Sequence, residues 1–236
     1  MGRLRATCLR INRYEVLLVV GTFIIYFAVV GNERVFGKFM FTYALYGPIG
    51  MSTGQGYLLH LIYWIFFGLA RVLSCMLALV IPARLMLGLL AVGTLIASAS
   101  LILIPPTAAW FFAFTCLFSL CKSPLFPATL AAINLSHEVT GLLVLVVNLG
   151  SAGGASLLQY TAGALIQRYG QFVFPYLVCA SACVVLLTAT ALIFVLRVMG
   201  NRKTHRRIKA TKYLTALLKQ AIRKKFRSII VHFRPR

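Results

Sequence analysis

The feature that most constrains this chain is a recurrence of apolar runs of about 20 residues, each long enough to cross a hydrocarbon core of roughly 30 Å. They repeat from Tyr14 to Val198 and are separated by short turns rich in Gly and Pro. A barrel would need alternating segments of about 10 residues, and none is visible. The composition agrees: 61% of residues are apolar and 11% are charged, against about 25% charged in an ordinary soluble domain. An all-α, polytopic membrane helix bundle is the expected fold.

Six spans emerge. The first runs from Tyr14 to Tyr46 and ends at GPIGMSTGQG, a run of turn formers. The second covers Tyr57–Val80 and stops before Pro82, and the third covers Arg84–Ile104, before Pro105-Pro106. The fourth is Ala108–Leu130, the fifth Thr140–Ile166 and the sixth Phe172–Val198. The first has 33 residues, roughly 50 Å of helix at about 1.5 Å per residue. It must tilt, protrude or break, and Gly31-Asn32 is the expected weak point. Residues 1–13 form a basic N-terminus, 14–198 the membrane domain and 199–236 a basic tail.

The formal charge of +21 is unevenly spread. Arg3, Arg5, Arg10 and Arg13 precede the first run, and thirteen Lys and Arg follow Asn201. Flanking basic residues are explained by the positive-inside rule, without nucleic acid. Both termini are expected to be cytoplasmic, in a multi-pass protein of the plasma membrane. The apolar run after Arg13 is too long for a secretory signal, and no small-residue cleavage site closes it. The Asn134-Leu135-Ser136 sequon then falls on the cytoplasmic side. Five of the six cysteines lie in apolar runs and no C-x-x-C occurs, which reads as small buried hydrophobes.

The polar residues inside the spans carry the functional question. Thr22, Tyr26, Glu33 and Gly37 fall in one sector of roughly 60° on the first helix, which reads as a wet face. Glu33 then serves as a cation or substrate ligand. Alternatively, it lies near the outer interface and pairs with Arg34 or Lys38 while these snorkel. His60, Trp64 and Arg71 share a stripe of the second helix, where Arg71 either faces a cleft or locks a helix end. Lys122 either snorkels to the cytoplasmic interface or acts as a cavity cation and gate partner of Glu138. Asn148 and Gln159 return to one face of the fifth helix. Their amides suit a polyhydroxylated ligand, because each donates and accepts, or else an interhelical hydrogen bond. The expected pathway residues are Tyr26, Glu33, Trp64, Asn148 and Gln159, with Arg71 and Lys122 as gating or structural charges.

GSAGGAS, Gly150–Ser156, has no G-K-[ST] and is no phosphate loop. Its Gly150 and Gly154 make a G-x-x-x-G helix-packing pair. No H-E-x-x-H, G-x-S-x-G or kinase signature occurs, so enzymatic activity, a metal and a cofactor are not expected. In the tail, Ile208, Leu214, Leu218, Ile222, Ile229 and Phe233 recur every three to four residues among Lys and Arg. This predicts a basic amphipathic helix, lying on anionic lipid or captured by a calmodulin-like protein.

Taken in order, FGKFMFTYA (Phe36–Ala44), GYLLHLIYWIFFGLARVLS (Gly56–Ser74) and SPLFPATLAAI (Ser123–Ile133) resemble the major facilitator superfamily. VTGLLVLVVNLGSAGG (Val139–Gly154) and RYGQFVFPY (Arg168–Tyr176) extend the likeness. Specifically, the chain looks like the C-terminal six-helix half of the sodium-dependent glucose transporter branch, over Tyr14–Val198. The resemblance implies alternating access around a central cavity lined by the first, second, fourth and fifth helices. It also implies a hexose such as glucose as substrate, Na+ or H+ as coupling ion, and a gating role for Arg71. A lone half offers one wall, so a second six-helix half or a homodimer is expected. Arg34 and Lys38 beside Glu33 speak against a sodium site there. The alternatives are a non-transporting half that binds a partner, and a transporter of an organic anion, since Arg34, Lys38, Arg71 and Lys122 outnumber Glu33.

Overall fold

The computed structural model describes residues 13–135 and 139–198. Arg3, Arg5, Arg10 and Cys8, Ser136 of the sequon, the His137–Glu138 pair and the amphipathic tail lie outside the described residues. The helices are α1 Arg13–Tyr46, α2 Thr53–Leu77, α3 Ala83–Leu103, α4 Ala108–Lys122, α5 Leu125–Asn134 and α6 Gly141–Tyr169, followed by α7 Val173–Val198. With α4 and α5 forming one crossing, six segments are long and apolar enough to span a bilayer. The chain is an all-α, multi-pass integral membrane protein.

Local chemistry sets the ends. The helix α2 starts four residues earlier than its apolar pattern, because Ser52 and Gln55 form a capping box. Ser52 Oγ accepts from the Gln55 backbone N–H at 3.4 Å, and Gln55 Oε1 accepts from the Ser52 N–H at 3.1 Å, satisfying donors that the first turn leaves free. Thr107 caps α4 by accepting from the Trp110 N–H at 3.3 Å, and Thr140 caps α6 through the Leu143 N–H at 3.4 Å. Ile104, held extended before Pro105, ends α3.

Two expectations change here. The fourth span is not one helix: it turns at Ser123-Pro124, where Pro124 has no N–H to continue the ladder. Ser123 uses the break to donate from Oγ to the Phe67 carbonyl of α2 at 2.6 Å. Conversely, α1 does not break at Gly31-Asn32 but stays helical over 34 residues. Tertiary contacts occupy both weak residues. A Cβ on Gly31 would lie 2.7 Å from the Gly154 carbonyl oxygen of α6, so its missing side chain serves close packing. Asn32 donates from Nδ2 to the Val178 carbonyl at 3.3 Å and to Ser181 Oγ at 2.5 Å on α7.

The glycines also fix direction. A Cβ on Gly150 would meet the Phe23 carbonyl oxygen at 2.7 Å, that on Gly154 would collide with Phe27, and that on Gly163 would lie 3.4 Å from the Phe39 ring. Numbers rise together on both helices, so α1 and α6 run parallel, as first and fifth crossings of an up-and-down bundle must. The Asn32 bonds and the approach of Gly21 to Leu192 at 3.8 Å make α7 antiparallel to α1.

One aromatic core joins α1, α2, α4 and α7. Phe36 lies 4.5 Å from Phe118, 5.3 Å from Tyr63 and 5.8 Å from Phe174, between ring centroids. The outward faces carry Leu58, Leu61, Ile65, Leu69 and Val72, all exposed, as lipid contact requires. Asn32→Ala is expected to destabilise the bundle by about 1 kcal/mol, the usual worth of an interhelical hydrogen bond in lipid. An unchanged unfolding midpoint in detergent would mean that the two α7 bonds contribute nothing net.

Candidate functional site

The wet face expected on α1 is for the most part dry. Thr22 is fully buried and returns its hydroxyl to the Leu18 carbonyl at 2.6 Å, the local solution open to a hydroxyl in a helix. Tyr26 is buried with its ring 4.8 Å from Phe126, and its hydroxyl donates to the Phe126 carbonyl at 3.0 Å. It lies about 10 Å along the helix from Glu33, at roughly 1.5 Å per residue. Gly37, one turn beyond Glu33, leaves room for α2: a Cβ there would touch Tyr63 at 3.5 Å and Trp64 at 3.9 Å.

Glu33 stands at the centre of a group drawn from three crossings. Its carboxylate keeps a narrow opening, the residue being 9% exposed. Lys122, Arg71 and Arg34 are the cations within electrostatic reach of it. Lys122 is brought to this level by the aromatic core, because Phe118, one turn earlier on α4, packs against Phe36, three residues after Glu33. The snorkelling reading of Lys122 does not hold in this structure: the residue is 1% exposed and its Nζ has no hydrogen-bond partner. It ends α4 at the Ser123-Pro124 turn and points inward with Thr115, Phe118 and Ser119, all buried.

Arg71 and Arg34 form the open side of the group. Both are exposed. The Arg71 guanidinium lies 5.0 Å from the centroid of the Phe67 ring, a cation–π placement that holds it against α2. Lys38 is exposed and stands 6.0 Å from the Phe39 ring centroid. Trp64 is 42% exposed, with its indole N–H donating to His60 Nε2 at 3.0 Å. Gln159 reaches the same region from α6, donating from Nε2 to the Arg34 carbonyl at 3.3 Å.

Asn148 does not join them. It is exposed and shares a helix face with Gln159, but eleven residues of α6 separate the two by roughly 16 Å. Because α1 and α6 run parallel, Asn148 lies near the level of Gly21, far from Glu33. Glu138, the alternative partner of Lys122, lies outside the described residues.

One residue of the group is not singled out by the sequence. Tyr63 is fully buried, its hydroxyl has no hydrogen-bond partner, and it lies within electrostatic reach of Glu33, Arg34 and Arg71. A phenol in a run of aromatic residues gives no signal by itself. The usable clue is phase, since Tyr63, Phe67 and Ala70 form the inward stripe of α2. The cysteines also differ from expectation: Cys75 and Cys183 are exposed and Cys116, Cys121 and Cys179 half-buried, all as free thiols. None of the five is fully buried, and Cys121 packs against Gly93 of α3.

The arrangement is a polar group inside the spans, open on one side and closed by Lys122 and Tyr63 on the other. It can hold a proton or an ion at Glu33, and it can hydrogen-bond a ligand through guanidinium, ammonium, phenol and amide. Comparison with protein-family models, known proteins and solved structures gives no match for this chain.

Proposed function

We propose that this chain is a secondary transporter, or one six-helix half of one, that moves a small polar solute by alternating access rather than an enzyme. The observation that carries the reading is Lys122, an amine buried within a span without a hydrogen-bond partner and within electrostatic reach of the Glu33 carboxylate. Ionisable groups inside spans are costly, and those that persist mark ion or substrate pathways. Glu33, Arg71 and Lys122 come from the first, second and fourth crossings, which are cavity-lining helices in the major facilitator superfamily that the sequence resembles. A hexose is the solute implied by that resemblance, with Na+ or H+ as coupling ion. The positive surroundings of Glu33 favour H+ over Na+, because three neighbouring cations repel a metal ion. The exposed side of the group is a wall that a second bundle completes, either another copy or a partner half. The basic residues of both termini favour a cytoplasmic position for them.

The test is uptake of labelled glucose into liposomes holding the purified chain, with inward proton or sodium gradients. Gradient-driven uptake is expected, falling about a hundredfold or more in Glu33→Gln, the range typical for loss of a proton-transfer group. Uptake no greater than in empty liposomes under either gradient would exclude a carrier that works alone on this sugar.

A second reading, an organic anion as solute, is favoured by the three cations set against one carboxylate around Glu33.

A further inference from the structure

Resting on the reading of the Glu33 group as a solute site, and deepening its second form, we infer that the site takes an oxyanion, a hydroxylated carboxylate or phosphate ester, in preference to a neutral sugar. The charge balance is the first reason. Arg34, Arg71 and Lys122 stand against the single carboxylate of Glu33, so basic groups outnumber acidic ones within the spans. A neutral sugar leaves that imbalance standing. An anion removes it.

The hydrogen-bonding inventory is the second reason. Lys122 Nζ and the Tyr63 hydroxyl are both fully buried without partners. An ammonium offers three donors and no acceptor, and a guanidinium five donors and no acceptor. The group is thus rich in donors, and carboxylate and phosphate are the groups that supply acceptors only. Guanidinium forks match them in a bidentate way.

Exposure assigns the roles. Arg34 and Arg71 are open and make the contact, while Lys122 and Tyr63 form the buried floor behind them. The Trp64 ring, 42% exposed beside Gly37, offers an apolar face to the carbon skeleton. Glu33 opposes the anion, and holds Lys122 in charge balance while the site is empty.

Equilibrium binding to the full chain in phosphatidylcholine nanodiscs tests this, with glucuronate, glucose 6-phosphate and glucose as probes. At least one oxyanion is expected to bind about tenfold or more tightly than glucose, the scale of one charged contact. Arg34→Gln and Arg71→Gln should each lower oxyanion affinity about tenfold, a larger loss than either causes for glucose. Arg71→Lys should recover part of the loss, and Glu33→Gln should raise oxyanion affinity several-fold. Arg168→Gln, at the exposed end of α6, serves as the control. Arg34 and Arg71 are exposed, so their replacement leaves the core intact, and melting of each variant verifies it.

Glucose binding as tightly as the oxyanions, without response to either arginine, would overturn the inference and leave the solute-site reading in place. If none of the three probes binds, that reading fails and the inference with it. Equal competition by chloride and sulfate would show an adventitious ion only. Loss of binding in discs containing phosphatidylglycerol would identify the oxyanion as a lipid headgroup. Either result overturns the assignment to a solute.

Discussion

Gly154→Leu is expected to destabilise the bundle by about 3 kcal/mol or more, the upper range for overpacking a close contact. A Cβ at Gly154 would fall on the backbone of Phe27, 2.7 Å from its carbonyl carbon and 2.8 Å from its Cα. A side chain can rotate away, but a helix backbone cannot. Relief therefore requires α1 to move off α6 as a rigid rod. The same line of contact holds Gly150 against Phe23 and Gly31 against Gly154, so separation at one glycine opens the others. It would also carry Glu33 away from Lys122, coupling stability to the site. Gly68→Leu is the matched control, since a Cβ there meets nothing within 4 Å. Denaturation in mixed micelles measures both. Equal midpoints for the two variants would mean that the α1–α6 contact is not a tight one.

Much of the fold is legible in the sequence because spans announce themselves by length and proline. Pro105-Pro106 places the end of α3 to within a residue. Apolar pattern alone hides the start of α2, where a capping box sits inside a Gly-rich run that reads as loop. It also hides the turn at Ser123-Pro124, since a proline in a membrane helix can bend it, break it or begin a new one. The Gly31-Asn32 expectation failed for a related reason: local propensity says where a helix is weak, and Gly154 and Ser181 decide what the weakness is used for.

The site follows the same division. Glu33, Arg71 and Lys122 are visible as charges in apolar runs, and the fold gathers them. Helical phase gives direction around an axis but not height along a neighbour. Asn148 and Gln159 therefore share a face in sequence while only Gln159 reaches α1 beside Glu33. Lys122 shows the limit from the other side. Eight residues before Leu130, it reads as near enough to an interface to snorkel. The Phe36–Phe118 contact instead turns it inward, and no single-helix pattern contains that contact.

Replacing Glu33 and Lys122 together is expected to cost less than the sum of the single replacements. Lys122→Met removes a basic group within reach of Glu33, and Glu33→Gln leaves the buried Lys122 amine without its acidic counterpart. Breaking a buried pair from one side costs up to about 3–5 kcal/mol, whereas replacing both members is often neutral. Here no hydrogen bond joins the two, and Glu33 keeps an opening of 9%. Each single loss should therefore be nearer 1–2 kcal/mol, with a coupling of about 1–2 kcal/mol in a double-mutant cycle. Glu33→Gln/Lys122→Met should melt close to the parent, and gradient-driven uptake should be absent from all three variants. That split, stability restored while transport stays lost, separates a working charge pair from a structural one: a structural pair would recover both together. Additive losses would place the two charges in independent surroundings. The floor of the site would then have to be sought at Tyr63 alone, whose unpartnered hydroxyl would be the remaining buried donor facing Glu33.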